Sequence, residues 1–148
     1  RLWVPFFGLL YWLTGNLLID RDNRAKAHGT IGELVNEFQK KKISVWMFPE
    51  DTRSRGRGLL PFKTGAFHAA VAAGVPIIPV VVSNTHDKIK LNRLKNGLAI
   101  VEMMPPVDTK SFENQSVRKL ATHCRELMSA KLDELNAEVA AREASGKL

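Results

Sequence analysis

Three short apolar runs rich in β-branched residues, at 43–48, 75–82 and 97–103, alternate with stretches whose apolar residues recur at helical spacing. Strands and helices that alternate in this way bury their apolar faces by stacking into layers. The expected fold class is therefore α/β, a layered mixed sheet flanked by helices. A further brief run at 17–19 follows Gly15 and Asn16 and reads as a strand ending at Asp20 and Arg21.

The helical segments carry their own signals. Ile31, Leu34, Val35 and Phe38 recur at three- and four-residue spacing, and Lys40, Lys41 and Lys42 close that segment as a helix C-terminus prefers. The alanine-rich segment 63–73 ends at Gly74, which suits a helix cap. Val117, Leu120, Cys124, Leu127, Leu132, Leu135 and Val139 trace one apolar stripe over about six turns. That predicts a long C-terminal helix packed along the body, with a frayed tail after Arg142.

A chain of 148 residues that is 45% hydrophobic can bury one core, so a single domain over 1–148 is expected. No window reaches the roughly 18 uninterrupted apolar residues of a membrane span, and the most apolar stretch, 2–13, is broken by Pro5 and Gly8. Its rings, Trp3, Phe6, Phe7, Tyr11 and Trp12, fit either a membrane interface or an ordinary core helix. The chain begins at Arg1 without the basic, apolar, small order of a secretory signal, and it is read as truncated at the N-terminus. One cysteine, Cys124, leaves neither an internal disulfide nor a multi-thiolate metal site, which fits a reducing setting. Lysine and arginine outnumber aspartate and glutamate by 22 to 15, favouring anionic partners. The aromatic residues cluster near the N-terminus rather than among the arginines, which argues against a nucleic-acid-binding module.

Chemistry concentrates after the run at 43–48. Phe48-Pro49-Glu50-Asp51-Thr52-Arg53-Ser54, then Arg55, Arg57 and Pro61-Phe62-Lys63-Thr64-Gly65, put guanidinium groups, hydroxyls and a carboxylate just past a strand. Ligands of open α/β sheets bind at such strand ends, and arginine's planar fork chelates phosphate. By itself the loop also fits a solvated basic turn with a salt-bridged glutamate. In the run at 75–82, Pro76 and Pro79 remove ladder donors, so that strand is expected at a sheet edge or a bulge.

Three stretches in order resemble motifs of the glycerolipid acyltransferase family. They are Gly15-Asn16-Leu17-Leu18-Ile19-Asp20-Arg21, Phe48-Pro49-Glu50-Asp51-Thr52-Arg53-Ser54 and Val75-Pro76-Ile77-Ile78-Pro79-Val80. The surrounding residues are most similar to the bacterial members that acylate lysophosphatidic acid. The resemblance implies a glycerol-3-phosphate acyltransferase-like fold. It also implies that Glu50, Thr52, Arg53 and Ser54 hold the acceptor's phosphate and glycerol, that Arg21 reaches the same phosphate, and that Lys63 adds a point charge. Gripping the phosphate fixes the neighbouring hydroxyl for attack. The acyl donor implied is acyl carrier protein or a coenzyme A thioester, with no cofactor or metal, and the product is phosphatidic acid. The setting implied is an anionic phospholipid membrane at the cytoplasmic face of the bacterial inner membrane. Glycerol 3-phosphate as acceptor and a non-catalytic phospholipid-binding relative remain the alternatives.

Two departures from the family pattern stand out. Its HxxxxD motif pairs a general-base histidine with an orienting aspartate. Five positions after His28, His68, His86 and His123 stand Glu33, Ala73, Leu91 and Met128, so no such pair occurs. His28 and Glu33 also follow the stretch at 15–21, whereas the family order places the pair before that stretch. The pair is expected upstream of Arg1, and the 148-residue chain alone is expected to be inactive. The second departure is Asp51 at the family's glycine position. Glycine there permits a positive φ and close approach to phosphate. Aspartate tolerates that geometry but adds a carboxylate that repels phosphate, unless it pairs with Arg53 or Arg55 or turns to solvent.

Overall fold

The computed structural model describes residues 44–90, 92, 96–112 and 115–146. The aromatic segment 3–12, the strand expected at 17–19, Arg21 and the helix expected over 31–42 lie outside the described residues.

Helix α1 spans Gly65–Ala73 and stops at Gly74, whose φ of 64° lets its N–H reach back to Ala70 and Val71. The next N–H, of Val75, bonds Ala70 O at 3.1 Å, which completes the turn-closing pair. Strand β1, Val80–Val82, follows and pairs antiparallel with β2, Val101–Met103. Ser83 extends the pairing by one residue: its N–H bonds Ile100 O at 2.9 Å, and its buried hydroxyl accepts from Ile100 N at 3.0 Å.

The run at 75–82 is thus a shorter strand than its composition predicts. Upstream of β1 the pairing persists at one bridge, Ile77 with Val107, where both N–H···O bonds form at 3.0 and 2.7 Å. The three steps from Ile77 to Val80 are answered by four from Met103 to Val107, a bulge that contains Pro105 and Pro106. Pro79 contributes only its carbonyl, to Met104 N at 2.9 Å, so proline's missing donor costs nothing here.

The run at 43–48 departs further from expectation. Among the described residues no strand pairs with 44–48, although the chain there is zigzag. Val45 and Met47 are half-buried, whereas Trp46 and Phe48 are 65% and 76% exposed, their rings 6.4 Å apart on one side. An apolar run of this kind needs cover on both faces to be a buried strand, and the described residues cover one.

A short 3-10 helix, Thr109–Phe112, leads into α2, Val117–Ala144. Ser116 caps α2, its hydroxyl accepting from Lys119 N. Helix α2 packs on β1, α1 and the 3-10 helix. Its buried stripe, Leu120, Ala121, Cys124, Leu135 and Val139, matches the predicted spacing, and the helix runs two residues past the expected fray at Arg142. Leu120, Ala121 and Cys124 join Phe67 in the core, with Phe62, Ile77, Val107 and Phe112 against them. Val81 points into this layer, whereas Val82, Val101 and Met103 face away, the alternation of a sheet with one packed side. The helix-on-sheet layering is that of an α/β protein. Burial pushes the Cys124 thiol up to about 11, so it is protonated and unreactive at neutral pH.

Candidate functional site

Residues 48–63 leave the extended segment 44–48 and return to α1 as a closed loop. Three hydrogen bonds seal its neck. Lys63 N donates to Pro49 O at 2.8 Å, the Glu50 carboxylate accepts from Leu60 N at 2.7 Å, and Asp51 N turns back to Phe48 O at 3.3 Å. Nothing else in the loop is a repeating element, so its shape depends on these cross-links and on unusual backbone angles. Asp51, Arg55, Gly56 and Gly58 all take positive φ, at 61°, 53°, 82° and 75°. The positive φ at Asp51 explains why glycine suits that position. Gly56 is required for a second reason: a β-carbon there would lie 2.7 Å from the His86 ring, which covers it from the turn after β1.

A helix residue clamps the loop from behind. The half-buried Arg125 of α2 donates Nε to Leu60 O at 3.2 Å and an Nη to Leu59 O at 2.9 Å. Leu60 is therefore held at both of its peptide groups, by Glu50 through N–H and by Arg125 through C=O. Such charge-assisted bonds are worth more than neutral ones and fix geometry as well. Sequence reasoning missed Arg125. It is one of several basic residues on a helix, and its partners are backbone carbonyls 65 and 66 positions away.

Among the expected phosphate ligands, Thr52 and Arg53 stand exposed at the loop's far end, and Ser54 is half-buried. Ser54 O anchors a turn by accepting from Arg57 N and, at 2.9 Å, from Arg57 Nε. Glu50 sits at the neck, where one of its oxygens braces the loop. Lys63 is at the foot, its backbone tied to Pro49 and its side chain facing a cleft against α2. The structure thus brings Glu50, Thr52, Arg53, Ser54 and Lys63 onto one braced loop, while Arg21 lies outside the described residues. The expected basic connection after β1 is partly neutralised, since Lys88 Nζ pairs with Glu143 at 2.9 Å and holds that carboxyl below its usual range.

Residues 1–83 match the family model described as Acyltransferase. The chain belongs to the acyltransferase family. It is 71% identical over 147 residues to the 1-acyl-sn-glycerol-3-phosphate acyltransferases of Escherichia coli and Salmonella typhimurium, a match covering 99% of this chain and 60% of each relative. The Haemophilus influenzae protein of the same name is 57% identical over 139 residues, 94% of this chain and 58% of that protein. The chain therefore spans about 60% of the length of these curated relatives. Among solved structures, the 1-acyl-sn-glycerophosphate (LPA) acyltransferase PlsC from Thermotoga maritima superposes with a TM-score of 0.60 at 30% identity, covering 72% of this chain and 44% of that one. The α/β fold with its long C-terminal helix is that of an acyltransferase. Among the described residues, no helix is long and apolar enough to cross a membrane.

Proposed function

We propose that the chain grips the phosphate of lysophosphatidic acid with the loop at 49–63, as the acceptor-binding part of a 1-acylglycerol-3-phosphate O-acyltransferase. The reaction moves a fatty acyl group from acyl carrier protein or a coenzyme A thioester to the acceptor's free hydroxyl, giving phosphatidic acid for phospholipid synthesis. Its place is the cytoplasmic face of the bacterial inner membrane, where the chain's net charge of +7 favours an anionic lipid surface.

One observation supports this most. A loop bearing Thr52, Arg53 and Ser54 is locked at its neck by Glu50, Lys63 and Arg125, in a chain 71% identical to named acyltransferases of this specificity. A phosphate site needs donors held still before the ligand arrives, because ordering them on binding lowers affinity. Among the described residues the Arg53 guanidinium has no hydrogen-bond partner, so it keeps its full fork for a ligand. In this reading Arg21 reaches the same phosphate and Thr52 and Ser54 supply hydroxyl contacts.

Binding rather than turnover is the proper measurement on the 148-residue chain, because it contains no HxxxxD pair. Titrating lysophosphatidic acid into wild type and Arg53→Ala is expected to show about 10- to 100-fold weaker binding in the variant, the loss of charge-assisted hydrogen bonds to phosphate. Arg53→Lys should fall between. Equal affinities for all three would remove the loop from the acceptor site.

Asp51 favours a second reading, a phospholipid-binding relative that does not turn over. Its carboxylate stands on the loop expected to meet phosphate, at a φ that glycine adopts freely. At an exposed position two unit charges in water interact by only ~1 kcal/mol, so Asp51→Gly is expected to change lysophosphatidic acid binding by no more than about 5-fold, with tightening as the sign of an obstructing carboxylate. Calorimetric titration checks this, and unchanged or weaker binding would show that Asp51 is no obstacle to the acceptor.

A further inference from the structure

Behind the loop, its exit segment and the first turns of α2 enclose a cleft of about 450 Å³. Lys63, Arg118 and Arg125 line it with Phe62, Ala121 and Thr122, and among the described residues that line it none is acidic. Arg125 is committed to the Leu59 and Leu60 carbonyls. Neither Lys63 nor Arg118 has an ion-pair partner among the described residues.

The placement of Arg118 is costly in the free protein. The first turn of a helix carries the positive end of its dipole and favours acidic residues, yet α2 has none there and has Arg118 and Lys119 instead. Three cations around one concavity repel each other and the helix end together. A bound anion would be attracted by each of these groups and offset their mutual repulsion.

We propose that this cleft receives the phosphopantetheine arm of the acyl donor, its phosphate between Lys63 and Arg118 and its amide stem along Phe62 and Ala121. This rests on the acyltransferase reading above. Coenzyme A and acyl carrier protein share that arm, and a concavity of this volume lined by both cationic and apolar side chains fits an elongated, phosphorylated ligand better than a flat lipid surface. The cleft also adjoins the acceptor loop, because Lys63 both lines it and ties the loop's neck to Pro49. Acyl transfer requires donor and acceptor side by side.

The test is equilibrium binding to the 148-residue chain of 4′-phosphopantetheine, unphosphorylated pantetheine, coenzyme A, lysophosphatidic acid and phosphatidylglycerol vesicles, for wild type, Arg118→Ala and Arg118→Glu. Wild type should bind 4′-phosphopantetheine and coenzyme A, and pantetheine about 10-fold more weakly, the worth of one charge-assisted contact. Arg118→Ala should lose about 10-fold for the two phosphorylated compounds, and Arg118→Glu more, with lysophosphatidic acid and vesicle binding unchanged. Neither variant should melt lower than wild type, because each removes a cation from the helix's positive end. The proposal is overturned if coenzyme A binds all three proteins alike, if coenzyme A binds but 4′-phosphopantetheine does not, or if Arg118→Ala weakens vesicle binding instead. Loss of lysophosphatidic acid binding in Arg53→Ala with coenzyme A binding intact tests the acceptor reading separately.

Discussion

Replacing Arg125 by alanine is expected to lower the melting temperature by about 4–8 °C and to weaken lysophosphatidic acid binding about 10-fold, although Arg125 lies on a helix away from the exposed end of the loop. The bonds to Leu59 and Leu60 are charge-assisted and partly shielded from water, which puts their joint loss near 2 kcal/mol. Unmaking them frees the carbonyl side of Leu60, and the loop exit is then held only by Glu50 at Leu60 N and by the Lys63 bond to Pro49 O. Arg125→Lys should recover part of the stability but less of the affinity, since one ammonium cannot reproduce a two-point grip on successive carbonyls. Thermal melting and ligand titration on the same samples check both halves. A variant that melts lower yet binds as wild type would confine Arg125 to a packing role.

The largest expected loss of stability is at Leu120. Its side chain is 0% exposed and sits between Phe67 and Cys124, where α1 meets α2. Leu120→Ala removes three buried carbon atoms and leaves a cavity, a change of about 3 kcal/mol in well-packed cores, or about 6–12 °C for a chain of this size. The neighbouring Cys124 offers an independent readout. Its thiol, also 0% exposed and protonated at neutral pH, is expected to react with a thiol reagent only when the core opens. Alkylation should therefore accelerate with the loss of stability in Leu120→Ala. An unchanged melting temperature would show that this junction is not the core of the described residues.

These two residues also mark what the amino-acid pattern reveals and what it hides. Leu120 is readable because a helix repeats its buried positions, and the stripe from Val117 to Val139 repeats over the whole of α2. Gly74 is readable because a positive φ at a helix end is glycine's usual role. The loop from Pro49 to Lys63 is readable through its resemblance to a family motif, and the positive φ at Asp51 accounts for the glycine found there in that pattern. Arg125 was not readable, since a side chain that bonds distant carbonyls leaves no periodic trace. Residues 44–48 differ from the buried strand expected of them for a related reason: apolar content reports a demand for burial without saying which segment meets it. The bulge opposite Ile77 was half readable, because Pro76 and Pro79 announce a broken ladder, whereas the extra residue lies on the partner side with Pro105 and Pro106.

Helix α2 holds two separate loops at three points from one rigid rod. Arg125 holds Leu59 and Leu60, Asn136 accepts from Asn84 N at 2.7 Å, and Glu143 pairs with Lys88 at 2.9 Å. One residue added or lost between these anchors would rotate everything beyond it by about 100° and shift it by about 1.5 Å. Natural variants of this chain are therefore free to change the solvent-facing letters of the rod, but its count of residues from Arg125 to Glu143 is a fixed gauge between the loop at 49–63 and the turn after β1.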